Sequence, residues 1–376
     1  MDQSKIVARL RERMIEMGLA AYIVPSFDAH QSEYVSDYFK VRQWLTGFTG
    51  SAGTAVVTLD KALLWTDGRY HTQALTELKG SSFELIKQGL PGEPSVSEWL
   101  NTHLQEGATI GFDGTCTSQG VFEQWQRDTS TKGLTFKYES CLLEPLWIDR
   151  PNFPKEPVMN FPIRYAGEAR TQKIERVREI MGTHTAQGYI IPNLDDIAWL
   201  LNIRGGDITF CPFVIAYVAI TMEDVLLFIH EEKLNSALVE ELERDGIKLL
   251  PYESVFTSIK EMKEKTFLCD LNQVSAKLFA SLPNGSKVVG KGDVVTRMKA
   301  HKSDAELKNI RNSQLKDGAA LVEFLNWLEG AVAGGGITEV DIAHKLVEFR
   351  SKQEGFMGPS FNTIAGYGSN AAMMHY

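Results

Sequence analysis

Residues 9–25 (RLRERMIEMGLAAYIVP) align without a gap to residues 176–192 (RVREIMGTHTAQGYIIP), 167 positions later. Arg9, Arg11, Glu12, Met14 and Tyr22–Pro25 find counterparts in Arg176, Arg178, Glu179, Met181 and Tyr189–Pro192. After a shift the likeness resumes: Trp44-Leu-Thr-Gly-Phe-Thr-Gly parallels Trp199-Leu-Leu-Asn-Ile-Arg-Gly, and Asp60–Trp65 parallels Asp224–Phe228. An internal repeat of this length demands two similar units rather than one large core.

Each copy reads the same way. A charged helix with apolar residues three and four apart leads into a short β-branched strand that ends at proline. A polar segment follows, then a Trp-containing stretch closed by Gly, then two strands joined by an acidic turn. Alternating helices and strands predict an α/β fold of the mixed α+β kind. The first unit is expected over residues 1–153 and the second over 154–303. Their join falls in 149–157, where Pro151, Pro154 and Pro157 stiffen the chain.

The remainder, 304–376, has a different character. Leu307, Ile310, Leu315, Ala319, Val322, Leu325 and Leu328 recur at helical spacing and predict one long helix over 304–328, broken by Gly334–Gly336. Thr338 and Asp341 form the signal for a second helix running to about Gln353. A glycine-rich turn, a short strand and His375 are expected to close the chain. Two helices and one stub of sheet cannot cover both sheet faces, so this third domain reads as the incomplete start of a larger one.

Composition excludes some functions. A net charge of −9 with no basic block argues against nucleic acid, which needs clustered Lys and Arg. Cys116, Cys141, Cys211 and Cys269 show no C-x-x-C pair, so reduced thiols are expected. Residues 213–220, the longest apolar stretch, are too few to span a bilayer, and the charged N-terminal helix is unlike a signal peptide. A cytoplasmic protein without membrane contact follows.

Several motifs have structural readings. In Gly47-Phe-Thr-Gly-Ser-Ala-Gly53 no Lys-Ser/Thr pair follows, so the glycines suit a turn with close packing or positive φ rather than a phosphate loop. Asp28, His30 and Glu33 lack further ligands at metal spacing, and a loop with local hydrogen bonds is expected. Asp195 and Asp196 fit a helix N-terminus, where negative charge is favoured. His71, His103, His184, His230, His301 and His344 stand singly, which predicts surface positions. In Trp65-Thr-Asp-Gly-Arg-Tyr70, Arg69 is either a solvated turn residue or a guanidinium projected from a rigid turn towards a carbonyl or carboxylate. His375 follows a Gly-rich turn that could present an imidazole into a cleft.

Together these motifs, with Lys316-Asp-Gly-Ala-Ala-Leu-Val-Glu-Phe-Leu-Asn-Trp327 and Phe361-Asn-Thr-Ile-Ala-Gly-Tyr-Gly368, resemble the three-domain cytosolic Xaa-Pro aminopeptidases. The resemblance implies two tandem creatinase-amino-terminal-like domains followed by the start of a pita-bread domain. It implies a peptidase that cleaves the N-terminal Xaa-Pro bond with two divalent ions, usually manganese, acts on proline-containing peptides, and forms a homodimer. Arg69 and His375 resemble the family's substrate-contacting arginine and first active-site histidine. The family's metal ligands and later histidines lie beyond the position matching Tyr376, so no metal ligand, no catalytic group and no peptidase activity are expected of these 376 residues. A non-catalytic dimerisation or proline-peptide-binding protein, or a prolidase or creatinase relative, is the alternative.

Overall fold

The computed structural model describes residues 3–138, 141–290 and 292–375; Tyr376, the last residue of the terminal motif, lies outside them. The repeat folds as two sheets of one topology. The first contains β1 (Ala21–Pro25), β2 (Thr54–Thr58), β3 (Ala62–Thr66), β4 (Glu84–Lys87), β5 (Thr109–Phe112) and β6 (Thr135–Lys137), in the order 4-3-2-1-5-6. A two-stranded ribbon, β7 (Met159–Asn160) with β9 (Ile203–Arg204), lies outside the second sheet. That sheet contains β8 (Gly188–Ile191), β10 (Tyr217–Thr221), β11 (Val225–Phe228), β12 (Ile247–Leu250), β13 (Thr266–Leu268) and β14 (Lys287–Val289), in the order 12-11-10-8-13-14. Both are mixed sheets. The three strands following the first helix pair antiparallel, and the flanking strands add in parallel through helical crossovers.

Repeated residues do repeated work. Arg11 Nε donates to the Thr58 carbonyl (2.8 Å), and Arg178 Nε donates to the Thr221 carbonyl (3.0 Å), each tying the first helix to the end of the second strand. Tyr22 and Tyr189 are buried in the two sheets, and their hydroxyls bond the segments after the last strands, at Leu142 N and the Gly292 carbonyl. The Trp-containing stretches are short helices, Val41–Thr46 and Leu194–Leu200. Gly47 leaves the first at φ +76°, and the aligned Asn202 leaves the second at φ +51°. Glycine and asparagine are the residues that tolerate this left-handed turn.

The two units dock through the loops after β5 and β13. Gln119 N donates to the Val274 carbonyl and Ala276 N to the Thr117 carbonyl, both at 2.8 Å, about a Ser118–Ser275 bridge. Both serines cap the next helix, their hydroxyls accepting from Val121 N and Leu278 N. One apolar cluster joins Ala29, Phe39 and Cys116 to Ile190, Tyr217 and Phe267 across the seam. His30 sits within it. Its Nδ1–H donates to the Pro192 carbonyl (2.8 Å), so Nε2 accepts from the Tyr252 hydroxyl (2.9 Å). Asp28 Oδ1 accepts from His30 N and Ser32 N, which makes residues 28–34 the locally bonded loop expected from sequence.

Burial pushes the His30 pKa below 6.5, against the opposing pull of Asp28 and Asp207; Lys233 lowers it further. The unfolded chain therefore binds a proton at His30 that the folded one refuses. Stability is retained above about pH 6.5 and falls as pH drops from there towards the folded pKa. Thermal unfolding at pH 7.5 and 5.0 is expected to show this loss, and His30→Gln should flatten the pH dependence. An unchanged slope in the variant would remove His30 as the cause.

The third region departs from the sequence expectation in three ways. Its first helix runs Asp304–Gly334, about a turn and a half beyond residue 328, before Gly335 and Gly336 adopt positive φ. The stripe that marked it is largely uncovered: Ile310, Leu315, Val322 and Leu325 are exposed. A second apolar side, through Ala320 and Phe324, packs on Leu346 and Phe349 of the helix Glu339–Ser351. This helix is apolar on two sides, and the period alone did not say which is covered. The expected terminal strand is absent among the described residues. Residues 356–369 are irregular and lead to a short turn at Asn370–Ala372, since a strand needs a backbone to pair with and none adjoins it here. Glu339 instead anchors the segment, accepting from Tyr367 N (2.5 Å) and Asn370 Nδ2 (2.9 Å).

Candidate peptide-binding site

β3 is buried along its whole length and ends in the turn Asp67–Tyr70, where Tyr70 N donates to the Asp67 carbonyl (3.0 Å). Arg69 emerges from this turn with about half its side chain in solvent. Asp67 grips it three times: Oδ1 accepts from Arg69 N (3.0 Å) and Nε (2.9 Å), and Oδ2 accepts from Nη2 (2.9 Å). These bonds hold the Asp67 carboxyl below the usual carboxylate range and raise the Arg69 pKa. The guanidinium is fixed in direction without being hidden.

The next residue, Tyr70, points inwards. It is buried, its ring meets Phe48 edge-on, and its hydroxyl bonds Ser51 Oγ at 2.7 Å. The Arg69 Cζ lies 5.1 Å from the centre of the Tyr70 ring. The His375 ring, about 300 residues further along the chain, lies 5.0 Å from that same centre. The two residues singled out from sequence therefore meet on one aromatic platform, no further apart than the sum of those distances.

The glycine loop beneath the platform behaves as expected of a structural turn. A Cβ on Gly50 would lie 2.3 Å from Phe48 Cζ and 2.8 Å from Tyr70 Cδ1, so only glycine lets the loop pass under the ring. Arg42, a residue that sequence reading passed over, holds the loop from within. It is buried, and it donates to Ser26 Oγ (3.0 Å), the Phe48 carbonyl (2.5 Å) and the Gly50 carbonyl. Burial pushes its pKa down to about 10. On the outer side, Glu77 accepts from Thr49 N (2.8 Å) and Thr49 Oγ1 (2.6 Å).

The other motifs lie elsewhere. Asp195 and Asp196 occupy the first turn of the helix Leu194–Leu200, as expected, but their bonds go to Lys299 and, from Asp196, to Thr296 (2.6 Å). The same motif joins the second unit to the third, because Trp199 Nε1 donates to Glu306 Oε1 (2.9 Å). Lys173 lies 4.0 Å from the centre of the Trp199 ring and donates to the Trp199 carbonyl and Asn202 Oδ1, both at 2.8 Å. His103, His301 and His344 are exposed, whereas His71, His184 and His230 are half-buried. His71 belongs to the turn, with Nε2 bonded to the Thr66 carbonyl at 3.1 Å.

Comparison with known proteins agrees with this layout. Residues 7–137 and 149–306 each match the creatinase/prolidase N-terminal domain, and residues 308–376 match metallopeptidase family M24. A probable Xaa-Pro aminopeptidase P of Talaromyces marneffei is 38% identical over the whole of this chain, which spans 59% of that protein. The chain belongs to the Xaa-Pro aminopeptidase family. Aminopeptidase P2 of Arabidopsis thaliana is 36% identical over 96% of the chain and 55% of its own length. The crystal structure of an X-prolyl aminopeptidase from Caenorhabditis elegans, a cytosolic enzyme with a di-nuclear active site, superposes with a TM-score of 0.94 at 34% identity. That alignment covers all of this chain and 64% of the worm protein.

The di-nuclear active site is a feature of that worm enzyme. Among the described residues no group of three or more His, Cys, Asp or Glu side chains could hold a metal ion. The described residues therefore do not fit a dinuclear centre. Nor is any helix among them long and apolar enough to cross a membrane.

Proposed function

We propose that this chain supplies the peptide-recognising part of a cytoplasmic, homodimeric Xaa-Pro aminopeptidase, with Arg69 and His375 as its substrate contacts. The observation that carries the reading is their convergence on Tyr70 from opposite ends of the sequence. A proline nitrogen within a peptide has no hydrogen to donate, so recognition around it relies on carbonyl acceptors and ring packing. A guanidinium held in direction by Asp67 and still half exposed suits such acceptors. Hydrolysis by the complete enzyme would use two divalent ions, with manganese suited to oxygen-rich ligation. The part assigned to these 376 residues is binding, without cleavage.

Titration of the chain with the tripeptide Ala-Pro-Ala, followed by NMR at the histidine Cε1–Hε1 signals, tests this. The His375 signal should move on saturation, and Arg69→Ala should weaken the interaction about tenfold or more, the scale of a lost charge-assisted contact. No free alanine should appear with manganese present. Alanine release, or affinity indifferent to Arg69→Ala, would overturn the proposal.

A further inference from the structure

We infer that Asp67 is a positioning residue, which selects the edge of the Arg69 guanidinium that a peptide meets; this rests on the substrate-contacting reading of Arg69. A guanidinium has a side edge, Nε with one Nη, and an end edge formed by both Nη atoms. Asp67 takes the side edge with both carboxylate oxygens and ties the same residue's backbone N–H. Among the described residues the guanidinium bonds no acceptor but Asp67, and its side chain is about half exposed, so the end edge can donate two parallel hydrogen bonds to a carbonyl or carboxylate.

A bland surface ion pair would not need the rest of the arrangement. Exposed pairs of long side chains lose much of their gain to side-chain freedom. Here the carboxylate sits two residues before its partner, inside a closed turn, and that turn leads directly into buried Tyr70. Ser51 fixes the far end of Tyr70, and His375 rests on its ring. Direction at Arg69 and placement at His375 are therefore set by one continuous structure, Asp67 through Tyr70. The guanidinium and imidazole are separated by no more than the sum of their distances to the shared ring. An extended chain advances roughly 3.4 Å per residue. The two groups thus bracket no more than about three residues of an extended peptide. The ligand class is a short proline-containing peptide whose carbonyl or terminal carboxylate reaches Arg69 while its other end lies at His375.

Asp67→Asn tests the role with little change of shape, and Asp67→Glu moves the carboxylate while keeping its charge. Two signals are followed in the 376-residue chain: the Arg69 Nε–Hε resonance without ligand, and the His375 Cε1–Hε1 resonance during titration with Ala-Pro-Ala. In the parent chain the Arg69 signal should be sharp and protected from exchange, and Asp67→Asn should broaden it. The variant should bind the peptide about tenfold more weakly with an unchanged melting temperature. Asp67→Glu should recover the signal only in part, because charge without the side-edge geometry is insufficient. Parent-like binding by Asp67→Asn would overturn the inference and leave the substrate-contacting reading of Arg69 intact. A parent chain that binds no peptide, with its Arg69 signal still dependent on Asp67, would overturn both the substrate reading and the role that rests on it.

Discussion

Lys233→Met is expected to lower stability by about 3–5 kcal/mol, the cost of leaving one member of a buried ion pair without its partner. Lys233 and Asp207 form a salt bridge whose side chains are both fully excluded from solvent. Burial lowers the Lys233 pKa despite the opposing pull of Asp207, so the environment itself disfavours the ammonium. What holds it is the density of other bonds on the carboxylate. Asp207 Oδ2 also accepts from Ile215 N (2.6 Å) and Oδ1 accepts from Glu156 N (3.2 Å), while Lys233 Nζ reaches the Ile215 carbonyl (3.3 Å). Val158 N donates to the Lys233 carbonyl (2.9 Å), so the chain entering the second unit is fastened at the same point. Methionine would fill much of the volume and strand the carboxylate. In thermal unfolding the transition of the second unit should fall by about 10 °C, on the scale of a domain of that size. Asp207→Asn added to Lys233→Met should recover more than half of the loss, since the amide oxygen still accepts while the charge is gone. A single-variant shift of a degree or two would mean that water or rearrangement compensates the stranded group.

The Lys233–Asp207 pair marks a boundary of what the sequence discloses. The repeat was legible because the same local chemistry occurs twice: an Arg to tie helix to strand, a Tyr to anchor the sheet, and a left-handed Gly or Asn after a Trp-bearing helix. The turn before Arg69 was legible because Asp-Gly names one, whereas Arg69 and His375 stand out as substrate contacts through the family resemblance and not through their local motifs alone. Pairings between distant segments were not legible. Nothing near Lys233 in sequence points to Asp207, and nothing marks Arg42 as buried, because a lone Arg in a polar stretch reads as solvated until its loop folds over it. The sequence places His30 in a locally bonded loop, yet its ring partners, Pro192 and Tyr252, come from the other unit. The missing terminal strand has the same origin. Local propensity can propose a strand, but only a neighbouring backbone makes one, and the described residues bring none to 356–375.

Arg42→Met should disconnect fold and site together. The variant leaves the Phe48 and Gly50 carbonyls without their buried donor, and each such loss costs about 1–3 kcal/mol, so a destabilisation of about 3 kcal/mol is expected. Arg42→Lys should rescue little of it, because one ammonium on a shorter reach cannot serve Ser26 Oγ and two carbonyls in the plane of a guanidinium. The effect on the site follows from packing. Gly50 lies against Tyr70, and Ser51 bonds its hydroxyl, so a loop freed of Arg42 no longer holds the ring that Arg69 and His375 share. Denaturant unfolding should therefore report the stability loss, while the His375 resonance should lose the ring-current shift that Tyr70 imposes under fully native conditions. Tyr70→Phe separates the two effects. It keeps the ring and drops only the bond to Ser51, so the His375 shift should survive with a smaller loss of stability, about 1 kcal/mol for one hydrogen bond. If Arg42→Met unfolds more easily yet leaves the His375 signal in place, the loop serves stability alone, and the platform is held by Phe48 and the body of β3 instead.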